Sequence, residues 1–198
     1  MYYETATNGH GLPHDPLKAL VAPRPIGWIS SLDTDGTPNL APYSFFNLLA
    51  TNPAIVGFSS ASKKDSQSNI EATGDFVCNF ASVDLIDKVN ATAKHVPAHV
   101  NEFELAGLTQ VESRLIKAPR VAEARAHLEC RYIKTVELPH EENSAMVWSL
   151  VLGQVVAVHI DDSYLQDGLV DTLAMEPLTR MGYLDYGVLG GMMTRERP

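Results

Sequence analysis

RPIGWISSLDTDGTPNLAPYSFFNLLATNPAIVGFSSASKKDSQSN, residues Arg24 to Asn69, is the stretch on which the fold turns. Ile26 to Leu32 has the length and apolar content of a strand. It runs into Asp33-Thr34-Asp35-Gly36, a hairpin signal in which Gly36 takes the positive φ of a tight turn. Thr37 to Pro42 returns as the partner strand, and its prolines predict an edge or a strand end. Tyr43 to Leu49 reads as a compact corner built on a helical turn. Ala54 to Ser60 is a third strand, continuously apolar and expected to be buried on both faces. It opens into Ser59-Ser60-Ala61-Ser62-Lys63-Lys64-Asp65-Ser66, which leads into a helix from Asp65 to Ala72. Asp65 is its expected N-cap and Gly74 its terminator.

Outward from this stretch, residues 1–15 form a polar arm, and Asp15-Pro16 starts a short helix to about Leu20. Downstream, Asp75 to Ala81 is a strand, and Ser82 caps a helix from Val83 to about Lys94. A short helical piece lies around Asn101 to Ala106. Ala126 to Leu138 and Met146 to Ile160 are long strands joined by the polar loop Pro139 to Ser144. Asp161 to Ala174 is read as helix and Pro177 to Tyr186 as a final structured loop. Strands joined as hairpins with a few short helices predict an antiparallel barrel or closed sheet, as one domain. The strand–helix alternation of a doubly wound fold is not sustained.

Composition narrows the function. The net charge of -9 has no basic stripe to set against it, which argues against nucleic-acid binding. The N-terminus lacks the pattern of a signal peptide and no apolar run reaches ~18 residues, so a soluble cytoplasmic protein with no membrane partner is expected. Cys78 and Cys130 sit in strand-like runs outside any C-x-x-C and read as buried thiols, a disulfide or metal site being the alternative. His95 and His99 are separated by Pro97, which breaks a helical ligand pair, and His127 with Glu129 lacks a third ligand, so no metal site is expected. Glu141-Glu142 and Asp161-Asp162 read as solvated turns.

Two stretches can carry chemistry. The loop Ser59 to Ser66 leaves a buried strand and enters a helix, whose first N–H groups favour an anion. Four serine hydroxyls and two ammonium groups add donors. The alternative is a solvated loop with an ordinary cap. The corner Ala41-Pro42-Tyr43-Ser44-Phe45-Phe46-Asn47 offers aromatic walls and polar handles to a planar ligand, or simply packs in the core. Neither G-x-x-x-x-G-K-[ST] nor G-x-G-x-x-G is present.

RPIGWISSLDTDGTPNLAPYSFFN, NPAIVGFSS, KDSQSNI and GDFVCNF, followed by NEFELAGL, APRVAEA with LEC, LGQVVAVHIDD and PLTRMGYLDYG, resemble the flavin reductase-like family of FMN-binding split barrels. The likeness runs in order from about Arg24 to Tyr186. It implies a mainly β fold with short helices, a six-stranded antiparallel split β-barrel pairing as a homodimer. It implies FMN in a groove near the dimer interface and hydride transfer from NAD(P)H to flavin, often for a partner monooxygenase. Two other readings stand beside it: an FMN-prosthetic oxidoreductase with a non-nicotinamide donor, and a non-catalytic flavin carrier or sensor. By the resemblance, Tyr43, Ser44 and Asn47 contact the flavin ring, and Ser59 and Ser60 lie along it. Lys64, Ser66 and Asn69 hold the phosphate, and Tyr186 closes over the site. No catalytic acid, base or metal ligand is implied. Two departures stand out. Trp148 occupies the place of a histidine common in the family, and Arg180-Met181-Gly182-Tyr183 lacks the second glycine of an R-L-G-G motif.

Overall fold

The computed structural model describes residues 1–140 and 145–196. Its main sheet contains β1 (Gly27–Leu32), β2 (Pro38–Tyr43), β3 (Phe46–Thr51), β4 (Ala54–Ala61), β5 (Asp75–Phe80), β6 (Ala126–Glu137) and β7 (Trp148–Ile160). All neighbours are antiparallel, in the spatial order β2-β1-β5-β6-β7-β4-β3. The edge strands β2 and β3 are separated in sequence only by Ser44 and Phe45. Laid flat, six inter-strand spacings of ~4.8 Å would part these edges by about 29 Å, whereas three Cα steps of ~3.8 Å reach about 11 Å. The sheet therefore curls until its edges approach, which makes a split barrel.

Alternation along β1 feeds two cores. Ile29 packs inside with Val56, Phe58, Phe76 and Val151, while Trp28 packs on the other side with Leu40, Val121 and two helical residues, Val89 and Phe103. Those two belong to α3 (Ile86–Ala91) and α4 (Glu102–Ala106), which follow α1 (Leu17–Leu20) and α2 (Asp65–Thr73). The Trp28 indole N–H donates to Thr92 Oγ1 at 2.9 Å, so the buried ring keeps its polar atom satisfied. On β7, a side chain at Gly153 would overlap the fully buried Phe76 ring. Gly153→Ala is accordingly expected to lower stability by about 1–3 kcal/mol through overpacking, read as a lower urea midpoint at unchanged slope.

The hairpin at residues 33–36 forms as its sequence predicts, with Gly36 at φ 87° and Asp33 Oδ1 accepting from the Asp35 and Thr37 N–H groups. Three elements differ from expectation. Tyr43 to Leu49 is no helical turn: the chain extends from Phe46 because Phe46 pairs with Phe58 and Asn47 with Gly57, and this adds a seventh strand to the six expected. The Ser82 helix is a 3-10 turn, Val83–Leu85, followed by the short α3, and the Ser82 hydroxyl turns to Asp84 instead of capping. Asp161 to Ala174 is no helix either. After the 3-10 turn Asp162–Tyr164, Leu165–Gln166 pairs with Leu169–Val170 around Asp167-Gly168, both at positive φ (52° and 78°). An Asp-Gly pair of this kind closes a two-residue hairpin, which here overrides the helical composition.

Cys78 and Cys130 are buried free thiols, and burial, with Cys130 beside it, pushes the Cys78 thiol well up. Among the described residues no group of His, Cys, Asp and Glu is arranged to hold a metal, and no helix is long and apolar enough to cross a membrane. Glu141-Glu142 and part of the loop Pro139 to Ser144 lie outside the described residues.

Candidate functional site

The corner at Ser44-Phe45 and the end of β4 are drawn together by the Ser59 N–H, which donates to the Phe45 carbonyl at 2.8 Å. Past Ala61 the chain turns through Ser62, at φ 64°, and enters α2. The N-cap is Lys64, one residue earlier than expected, in an extended conformation, and no side chain caps the first turn. The unpaired N–H groups of that turn are left beside a groove of 650 Å³ to which Lys64, Asp65 and Ser66 contribute. Its wall also includes Tyr43, His95 and Glu102.

The larger groove is backed by a buried polar chain. The Ser66 hydroxyl donates to Asn39 Oδ1 at 2.7 Å, and the Asn39 amide donates to both Glu102 carboxylate oxygens at 3.1 and 3.2 Å. The Leu40 N–H donates to the same carboxylate at 3.0 Å. Burial raises the Glu102 carboxyl above its ordinary value, and the Leu40 and Asn39 hydrogen bonds oppose that rise.

A smaller groove of 270 Å³ adjoins the first, with Pro42, Tyr43, Ala61 and Lys64 lining both. Phe45 and Trp148 form an aromatic wall, their rings 5.2 Å apart and tilted by 35°. The wall is held in place by Arg24, which donates to the Lys18 and Val21 carbonyls (2.6 Å each) and to that of Met181 (2.8 Å). This clamps α1 to the 180–183 loop. Gly182 allows the clamp, since any side chain there would run into the Ala19 backbone.

Tyr43 sits between the grooves. Its ring packs on Phe58 at 4.5 Å, and its buried hydroxyl has no hydrogen-bond partner. Burial pushes the phenol up, while the nearby Ser66 and Ser60 hydroxyls pull it down without completing a bond. The phenol thus stays protonated at neutral pH and keeps an unused donor.

The expected site residues divide between these features. Tyr43, Ser44, Ser59, Ser60, Lys64 and Ser66 line the joined grooves. Ser66 is buried and spends its hydroxyl on Asn39, and Ser60 donates to the Ser62 carbonyl at 3.2 Å. Three residues line neither groove. Asn47 is exposed on β3, its side-chain oxygen accepting from the Leu48 N–H. Asn69 faces β1, donating to Ser31 Oγ at 3.4 Å. Tyr186 packs against the Trp28 core beneath Arg180, whose guanidinium lies 4.6 Å from its ring centroid.

A planar, phosphorylated ligand needs a flat apolar wall, a few edge donors and a phosphate seat. Phe45 and Trp148, the free Tyr43 hydroxyl, and Lys64 with the uncapped α2 turn supply all three, so these residues fit FMN. Residues 20–176 match the model of the flavin reductase like domain. The chain belongs to the flavin reductase-like family. It is 35% identical over 169 residues to an uncharacterised protein of Aquifex aeolicus, covering 82% of this chain and 83% of that one. An uncharacterised protein of Halalkalibacterium halodurans is 32% identical, at 90% and 87% coverage. Among solved structures, nitrilotriacetate monooxygenase component B from Bacillus cereus superposes at a TM-score of 0.90 with 29% identity over 98% of both chains. A putative split-barrel flavin reductase from Shewanella frigidimarina superposes at 0.79 with 24% identity, covering 99% of this chain and 94% of that one.

In this flavin reductase-like protein the groove also uses residues that its sequence did not single out. Asn39 and Glu102 lie 63 positions apart and become partners only through folding. Arg24 was visible as the start of a motif, but nothing local marks it as the clamp on Met181. Trp148, singled out in the sequence only as a departure from the family pattern, closes the aromatic wall.

Proposed function

We propose that this protein binds FMN across the joined grooves and reduces it with NAD(P)H, as one flavin reductase-like domain working in a homodimer. The observation that carries the proposal is the uncapped first turn of α2 with Lys64, set beside the unpartnered Tyr43 hydroxyl. When bound, FMN supplies the hydride and single-electron chemistry itself. Lys64 and the first α2 N–H groups hold its phosphate, Tyr43 keeps its proton and donates to the ligand, and Phe45 with Trp148 keeps water from one side. A partner monooxygenase is the proposed consumer of reduced flavin, supported by the likeness to a monooxygenase component at 29% identity.

One observation favours a second reading, FMN as a prosthetic group with a donor other than nicotinamide. Trp148 lies tilted on Phe45, at the place where the family resemblance implies a histidine, which changes the wall a nicotinamide would meet. Anaerobic addition of NADH or NADPH to the FMN-loaded protein separates the two: bleaching of the flavin band supports the first, and an unbleached band with intact binding supports the second. Lys64→Ala is expected to weaken FMN about tenfold and riboflavin much less, because one charge-assisted phosphate contact is worth ~1.5–3 kcal/mol. Equal weakening of both ligands in a fluorescence titration would refute the phosphate assignment.

A further inference from the structure

An apolar cavity of 270 Å³ lies where β1 begins, β5 ends and β6 begins, walled by Ile26, Phe46, Phe80, Leu128 and Leu178. It shares no lining residue with either groove of the flavin site. Of the polar residues around it, Asn79 accepts from the Val121 N–H at 2.8 Å, and His127 Nε2 lies 2.7 Å from the Val121 carbonyl. The Thr179 hydroxyl donates to the Gly187 carbonyl at 3.0 Å. What is left facing the space is hydrocarbon and aromatic ring, on the scale of side chains, since ligand pockets begin near ~300 Å³.

The chain itself leads apolar side chains to this cavity. Gly187 pairs antiparallel with Thr179, so the residues after it head back toward Leu178 and Pro177, both on the cavity wall. They read Val188-Leu189-Gly190-Gly191-Met192-Met193, and Met192 and Met193 stand 61% and 90% exposed. Met192 is five residues past Gly187, a reach of up to about 17 Å. Between them Gly190-Gly191 can reverse the chain, and no atom lies within 4 Å of where a side chain on either glycine would start. Methionine is unbranched, fills irregular gaps, and its sulfur gains from ring edges such as those of Phe46 and Phe80. We propose that residues 188–193 are a strap that closes this cavity, with Met192 and Met193 as its plug. The strap bears on the flavin site through the backbone: Pro25 and Phe46 wall the cavity, while their neighbours Arg24 and Phe45 wall the smaller groove. Seating the strap steadies that groove, and this part of the inference rests on the flavin reading.

Methionine-methyl NMR on the full chain tests the strap, with Met192→Leu and Met193→Leu variants assigning the two signals. Nuclear Overhauser contacts from these methyls to the Phe46 or Phe80 rings are expected, with resonances displaced by the ring currents. Methyls at free-peptide positions, with no contact to either ring, would overturn the strap. Mixing methionine-labelled with phenylalanine-labelled protein tests its origin: contacts that appear between the two copies would overturn a strap closing on its own chain. A Met192→Ser, Met193→Ser double variant is expected to bind FMN a few-fold more weakly in a fluorescence titration. The same variant should let a maleimide label Cys78, which lines the cavity, faster than in the unaltered chain, with the fully buried Cys130 as the internal control. FMN affinity unchanged in the double variant would overturn the link to the flavin groove. No FMN binding by the unaltered chain sinks the flavin reading, and the methyl contacts then still decide the strap.

Discussion

Glu129→Ala is expected to remove roughly 3–5 kcal/mol of folding free energy, because it breaks a buried charged network from one side. Glu129 is fully buried on β6 and accepts from the Arg114 N–H (2.7 Å) and the Leu115 N–H (2.8 Å), while His159 Nε2 on β7 lies 2.6 Å from its Oε1. Truncation leaves both backbone donors without a partner and unpins residues 113–118 from the barrel. Urea unfolding at neutral pH reads the effect, and a loss below about 1 kcal/mol would refute the account. The same region makes the fold sensitive to acid. Burial alone would raise the Glu129 carboxyl, but the Arg114, His159 and Leu115 contacts hold it below its usual value. Its contribution is therefore present above the unfolded carboxyl pKa and lost as pH falls through the folded one. His127 shows the same sign by another cause: burial lowers its pKa from 6.5 to about 4. Between those values the unfolded chain binds the proton that the folded one refuses, so stability falls as pH is lowered. His127→Gln should flatten that window by up to about 1.4 kcal/mol per pH unit and leave the slope above it unchanged.

Glu102→Ala is the second large effect, and it links the core to the groove. About 2–4 kcal/mol should be lost, since the Asn39 amide and the Leu40 N–H would each lose a buried acceptor. Asn39 is also what Ser66 donates to, so freeing it loosens the first turn of α2, where the proposed phosphate seat lies. FMN affinity should fall about tenfold in a fluorescence titration under conditions where the variant is still folded. Unchanged FMN affinity in a folded variant would show that the Glu102–Asn39–Ser66 chain supports the fold without positioning the site.

Much of this arrangement was legible from residues 24–69 alone. Asp-Gly at 35–36, the apolar run into Gly57 and Phe58, and Gly74 behind a short polar helix are local instructions, and the chain obeys them. The turn from β4 into α2 was legible for the same reason, because hydroxyls, lysines and a helix start are neighbours in sequence. Local rules failed where pairing partners lie far off. Phe46–Thr51 looks like a corner until β4 lies beside it, and the Asp167-Gly168 hairpin was hidden by helix-compatible flanks. By itself, then, the sequence determined the family and those strands and turns that carry local signals. Only the tertiary structure decided which polar groups are left over. Ser66 turns inward to Asn39, Asn47 and Asn69 fall outside the grooves, and Arg24 and Arg180 meet without a carboxylate. The physical reason is that hydrogen-bond satisfaction and charge balance are settled between residues up to 157 positions apart, as Arg24 and Met181 are, and no local pattern records them.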